Sequence, residues 1–155
     1  GDILQRLFTQ VNALAPEHMK SIDGVIDAVE MAQSFAKTYV VSNGEHNNLM
    51  ASLKFAELLP YFPEEVIISG RMPKNPKPAP EPFLIASKKA DINPERTLVI
   101  EDSITGVKGA VAAGMATWGF CGTHHAPQEH AETLLGLGAE KAFLSMEDLR
   151  KSLSS

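Results

Sequence analysis

The sequence predicts an α/β protein, a parallel β-sheet with helices on both faces. Two observations carry that prediction. Short runs rich in β-branched and aromatic residues, such as residues 38–41, 98–100 and 117–120, alternate with longer stretches of helical periodicity along most of the chain. Two of these runs also end in polar elbows, Ser42-Asn43-Gly44 after Val41 and Glu101-Asp102 after Ile100. In open α/β sheets the carboxyl ends of the strands are where ligands bind.

Each element has its own warrant. Residues 2–14 place apolar side chains at Ile3, Leu4, Leu7, Phe8, Val11 and Leu14, the spacing of an amphipathic helix, with Pro16 marking its end. Residues 24–36 predict a second helix whose broad apolar face includes Val25, Ile26, Val29, Ala32 and Phe35. The strand over 38–41 follows and runs into Ser42-Asn43-Gly44. A helix over 45–58 is broken by Pro60 and Pro63, and Val66-Ile67-Ile68 reads as a short strand. The segment RMPKNPKPAPEP, residues 71–82, holds five prolines and three basic residues. Proline lacks a ladder donor, so this segment stays out of a sheet interior. It reads as a linker, or as a stiff loop that holds one of Arg71, Lys74 and Lys77 still before a helix over 82–90.

Leu98-Val99-Ile100 suits a strand buried on both faces. Residues 103–113, rich in Ala, Val and Gly with Lys108 their only charge, predict a helix packed tightly on the sheet and stopped at Gly114. A strand over 117–120, a helix over 128–137, a strand over 142–144 and a helix over 146–153 complete the chain.

Two neighbouring carboxylates at a strand end are costly to bury unless a cation or hydrogen-bond donors meet them. The alternative use is as a cap, with Asp102 or Ser103 as the N-cap of the next helix. Spacing alone leaves both readings open. In a parallel sheet the two elbows share one edge, with a lysine of the proline loop in reach. A hydroxyl, backbone N–H groups, a fixed ammonium and a pair of carboxylates suit a phosphate beside a divalent cation such as Mg²⁺.

Composition narrows the classes further. A chain of 155 residues suffices for one domain with a sizeable core. Its net charge of −5 and lack of a basic run argue against nucleic acid while leaving room for a small anion. Cys121 is the single cysteine, so no internal disulfide framework exists and a reducing, cytoplasmic compartment is expected. Cys121 with His124, His125 and His130 reads as a surface loop in preference to a metal cluster, because structural zinc sites usually pair ligands at both ends of a spacing. No apolar stretch long enough to span a bilayer and no signal-peptide pattern is present, so no membrane partner is expected.

Three stretches carry a family likeness: VVSNG at residues 40–44, KPAP at residues 77–80, and VIEDSITGVKGAVAAGM at residues 99–115. They resemble motifs II, III and IV of the haloacid dehalogenase-like (HAD) hydrolase superfamily, and most of all its helical-cap sugar-phosphate phosphatases and β-phosphoglucomutases. The likeness covers the chain from about Ile22 onward, and the third stretch is the most specific. It implies a Rossmann-like core in which Ser42, with the backbone of Asn43 and Gly44, binds a phosphoryl group. Lys77 would bridge phosphate and nucleophile, and Asp102 with Glu101 would position Mg²⁺. Dehalogenases of the same superfamily share Ser-Asn-Gly but lack the acid pair, so Glu101-Asp102 favours metal-assisted phosphoryl transfer.

The departure from the family is motif I, a strand ending in Asp-x-Asp-Gly-Thr whose first aspartate attacks phosphorus to give an aspartyl-phosphate that water then cleaves. Nothing here matches it; Asp23-Gly24 comes nearest and precedes a helix. The resemblance therefore implies that residues 1–20 are the end of a helical cap, residues 21–155 the core, and that the sheet lacks its first, central strand. Unpaired ladder groups on both neighbours would exceed the roughly 5–15 kcal/mol of a typical domain's stability. A missing N-terminal segment or a swapped chain is accordingly expected to complete the sheet, and the sequence is expected to be a piece of a longer phosphatase, inactive alone. The expected substrate is a small phosphorylated metabolite such as a sugar phosphate; a phosphomutase, or a remnant that binds phosphate or protein without turnover, are the alternatives.

Overall fold

Six strands form one sheet in the order β3-β2-β1-β4-β5-β6, every neighbouring pair parallel. The structure, a computed structural model, describes residues 6–10 and 24–154. The strands are β1 (Arg6–Gln10), β2 (Ala36–Val41), β3 (Ile67–Ile68), β4 (Thr97–Glu101), β5 (Ala116–Phe120) and β6 (Lys141–Phe143). The helices are α1 (Val25–Gln33), α2 (His46–Phe55), α3 (Glu81–Ala90), α4 (Ile104–Ala112), α5 (Pro127–Gly136) and α6 (Met146–Leu153). The α/β class holds, and the predicted elements from residue 24 onward agree in type and order.

Alternation along the strands splits the core between the two faces. Val40, Leu98, Ile100, Trp118 and Phe120 pack with Val25 and Val29 of α1, Leu49 and Leu53 of α2, and Met146 and Leu149 of α6. Tyr39, Val41 and Val99 point the other way, onto Phe83, Ala86 and Ala90 of α3 and Ala110 of α4. β4 is buried along its whole length, as expected of a strand covered on both faces.

Helix ends follow the sequence signals. Ser103 is the N-cap of α4, its hydroxyl accepting the Gly106 N–H at 3.0 Å. Gly114 takes φ +78° just past the C-cap Ala113, the left-handed stop expected there.

The N-terminal expectation needs correction. Residues 6–10 lie inside the stretch expected to be a cap helix, yet they form β1, and β1 occupies the centre of the sheet between β2 and β4. Phe8 pairs with Thr38 on one side and Leu98 on the other. The sheet does not lack its central strand, and the chain itself, not a swapped partner, supplies it. The physical reason is tertiary: a gap between two parallel strands presents two rows of unmet N–H and C=O groups, and pairing with both outweighs a weak helical periodicity. The rest of the expected helix, Pro16, Ile22, Asp23 and the boundary at residues 20–21 lie outside the described residues. Among the described residues no helix is long and apolar enough to cross a membrane.

Candidate phosphate and cation site

Three loops meet at the carboxyl edge of β2, β1 and β4. The first is the elbow after β2. Val41 ends the strand, and the buried Ser42 continues its line by donating its N–H to Ile68 O at 3.0 Å. Its hydroxyl oxygen accepts the Gly44 N–H at 3.0 Å, which folds the elbow back. Gly44 O accepts the Gly70 N–H at 2.9 Å, and a Cβ on Gly70 would lie 2.1 Å from Asn43 O, so the chain after β3 abuts this elbow.

The second loop is the proline segment. It is not a slack linker. The Glu81 carboxylate, in the first turn of α3, accepts the backbone N–H groups of Lys74 and Asn75. Lys77 is the buried lysine, 6 % exposed, whereas Arg71 and Lys74 are exposed. The Lys77 ammonium donates to Val41 O at 2.9 Å and to Glu101 Oε2 at 3.0 Å, and lies 5.1 Å from the Phe83 ring centroid. Lys77 opens the KPAP stretch, and it ties the first elbow to the third.

The third loop follows β4. Glu101 is completely buried, and its oxygens are fully engaged. Oε2 meets Lys77, while Oε1 accepts the Asp102 N–H at 3.2 Å and the Ser103 N–H and hydroxyl at 3.3 and 3.0 Å. Gly106 makes room for this carboxylate: a Cβ there would fall 1.8 Å from Glu101 Cδ. Asp102 differs from its neighbour. Its Oδ1 is buried and has no hydrogen-bond partner among the described residues. Ser103 therefore caps the helix, while Glu101 meets the Lys77 ammonium.

Burial dominates the electrostatics. Glu101 is pushed up to about 7 by loss of water, against the opposing pull of Lys77 and Ser103. Burial lowers Lys77 although Glu101 works the other way, and Asp102 is raised, again chiefly by burial. A buried ion pair offsets its desolvation only with further hydrogen bonds. Here Val41 O and the Ser103 hydroxyl supply them.

Mg²⁺ usually takes one or two carboxylates and fills its shell with water and phosphate oxygens, so a protein site for it need not be a closed cage. The donor set fits that habit. Asp102 Oδ1 lacks a partner, Glu101 lies beside it, and among the described residues no group of three or more His, Cys, Asp or Glu side chains could hold a metal by itself. That includes the loop after β5: Cys121 is buried, and His124 stacks on His125 and His130 with ring centroids 4.3 and 4.0 Å apart. His130 Nε2 lies 2.7 Å from Asp102 O and donates to it, a role the sequence did not signal because 28 residues separate the two. Asn43 carries a second unsignalled contact, its carboxamide meeting the Lys77 backbone. The central strand adds no acid. Gln10 ends β1 and stands opposite Val40 and Ile100, two residues before Ser42 and Asp102.

Residues 2–120 match the family model described as haloacid dehalogenase-like hydrolase. The chain belongs to that family. It is 31% identical over 114 residues to a 6-phosphogluconate phosphatase of Escherichia coli K12, a match covering 70% of this chain and 51% of that protein. A conserved haloacid dehalogenase-like protein of unknown function from Agrobacterium tumefaciens superimposes with a TM-score of 0.78 at 32% identity, over 89% of this chain and 64% of that one. A HAD family hydrolase of Deinococcus radiodurans, solved with bound phosphate and sodium, gives 0.75 at 30% identity, over 88% and 61%. The chain spans about half the length of the curated relatives it matches.

Proposed function

We propose that this chain carries the phosphate- and cation-binding part of a phosphoryl-transfer hydrolase acting on a small phosphorylated metabolite such as a sugar phosphate. The observation that carries the reading is the buried Lys77–Glu101 pair beside Asp102, whose Oδ1 has no partner among the described residues, at the edge where Ser42 follows β2. The phosphatase relative and the hydrolase solved with phosphate support the substrate class. The Ser42 hydroxyl and the Asn43 N–H receive the phosphoryl oxygens, and the Gly44 N–H holds the Ser42 hydroxyl oxygen in place. Lys77 neutralises charge there, held in place by Glu101. Asp102, with Glu101 behind it, holds Mg²⁺, which when bound offsets phosphoryl charge. Residues 1–20 are assigned to a cap and residues 21–155 to the core, apart from β1. The buried free Cys121 agrees with a reducing, cytoplasmic setting.

One observation favours a second reading for the chain by itself. A glutamine amide is no nucleophile for phosphorus, and Gln10 stands where the central strand meets the pocket. The 155-residue chain is then a phosphate binder without turnover. Calorimetric titration with inorganic phosphate, with and without Mg²⁺, tests the shared part: binding is expected and is lost in Lys77→Ala and Asp102→Ala. A panel of sugar phosphates offered to this chain with Mg²⁺ separates the readings. Turnover supports the enzyme, phosphate binding without turnover supports the binder, and absence of phosphate binding overturns the proposal.

A further inference from the structure

We propose that the Asn43 side chain is a positioning residue for Lys77, clamping the lysine's backbone so that its ammonium is delivered across Ser42. The Asn43 Oδ1 accepts the Lys77 N–H at 3.0 Å, and Asn43 Nδ2 donates to Lys77 O at 3.1 Å. One carboxamide thus satisfies both backbone groups of one residue 34 positions away, the same two-bond exchange that a residue pair makes in an antiparallel ladder. At the other end of the same lysine, Nζ is held by Val41 O at 2.9 Å. The two anchors, Val41 and Asn43, flank Ser42 in sequence, so Lys77 is pinned on both sides of the residue assigned to phosphate.

The clamp matters because of what surrounds it. Five prolines in residues 71–82 remove backbone donors, and a lysine side chain has a long flexible stem. Without a fixed backbone, an ammonium buried by its partners alone could reach Glu101 from many loop conformations. Asn43 is itself exposed, so its two bonds are not a by-product of core packing, and its truncation opens no cavity. The elbow that carries it is braced from behind, where Gly70 abuts Asn43 O.

This inference rests on the reading of Lys77 as the cation of the phosphate pocket, and its test reads Lys77 directly, without catalysis. The intact chain is treated briefly with acetic anhydride, and acetylation of each lysine is measured by peptide mass spectrometry. In the parent, Lys77 is expected to be among the slowest to react. Loss of two hydrogen bonds in Asn43→Ala is expected to raise its rate roughly tenfold while exposed lysines such as Lys74 and Lys108 keep theirs. Asn43→Asp retains the acceptor for the Lys77 N–H, sets a carboxylate against Lys77 O, and should fall between. Phosphate affinity should weaken in step with Lys77 labelling across the three proteins. Unchanged Lys77 labelling in Asn43→Ala overturns the clamp. Labelling that rises while phosphate affinity holds overturns its positioning role. If Asn43→Ala fails to fold, Asn43→Asp decides on the same two readouts. A parent that binds no phosphate sinks the proposed function, yet the labelling comparison still decides on the clamp.

Discussion

Replacing Lys77 with methionine keeps the stem and removes the charge, which isolates what the ammonium does for Glu101. In the parent, Nζ meets Glu101 Oε2 at 3.0 Å and Val41 O at 2.9 Å, with the two side chains only 3% and 0% exposed. The variant leaves a buried carboxylate without its counter-ion, a change that costs about 3–5 kcal/mol. The cost depends on pH in a definite sense. The Glu101 carboxyl in the fold sits at about 7, above the 4.5 of an unfolded chain, so protonation favours the folded state and stability falls as pH rises from 4.5 through 7. Lys77 pulls that value down, so its loss moves the carboxyl higher still. The difference between variant and parent is therefore largest at pH 8 to 9, and it shrinks near pH 5, where Glu101 is protonated in both proteins. What remains there is the missing donor to Val41 O, about 1 kcal/mol.

Urea unfolding of parent, Lys77→Met, Glu101→Gln and the double variant at pH 5, 7 and 8.5 measures this directly. The double variant should be more stable than Lys77→Met at pH 8.5, because it carries no unpaired charge. A cost below about 1 kcal/mol at pH 8.5, or one that does not change with pH, would show that Glu101 is hydrated and that the pair is not the buried centre of the site.

Other substitutions probe the same edge. Asp102→Asn should raise the melting temperature in metal-free buffer by a few degrees, because it relieves a carboxylate whose Oδ1 lacks a partner among the described residues, and should remove any stabilisation by added Mg²⁺; differential scanning fluorimetry reads both. Gly106→Ala would stabilise an ordinary helix, but here its Cβ would fall on the Glu101 carboxylate at 1.8 Å, so a loss of about 1–3 kcal/mol is expected in urea unfolding, and a gain would refute the packing. Ser103→Ala removes both the cap of α4 and a donor to Glu101, and should cost about 1–2 kcal/mol. His130→Phe leaves Asp102 O without its donor at 2.7 Å; about 1–3 kcal/mol is the expected loss by the same unfolding assay, and none is expected for the exposed His125→Phe.

The elbows were legible because their chemistry is local. Strand, acid pair and Gly-rich helix follow one another without interruption in residues 97–114, and each step has a physical cause: full burial of β4, the Ser103 cap, the left-handed Gly114. The proline-stiffened loop is legible as a holder of one cation, and the family likeness of KPAP singles out Lys77 among its three basic residues. What lay out of reach were the contacts that join distant segments. Nothing in Asn43 says that its carboxamide bonds a backbone 34 residues on, and nothing in His130 says that its ring meets the carbonyl of Asp102. Such side chains look like ordinary loop and helix residues until the sheet brings their elements to one edge.

β1 failed to be legible for a different physical reason. Leu4, Leu7, Phe8 and Val11 satisfy a helical period, and within RLFTQ the alternation of a strand is too short to compete. Its state is decided by β2 and β4, each of which has one edge to satisfy, and by the register that sets Thr9 between Tyr39 and Val99. A segment chosen for its backbone need not bring the right side chain to the end of the strand. That separates two properties that the family motif joins: completing the sheet and supplying the nucleophile. Here β1 ends in Gln10, which completes the sheet without bringing a carboxylate to its end.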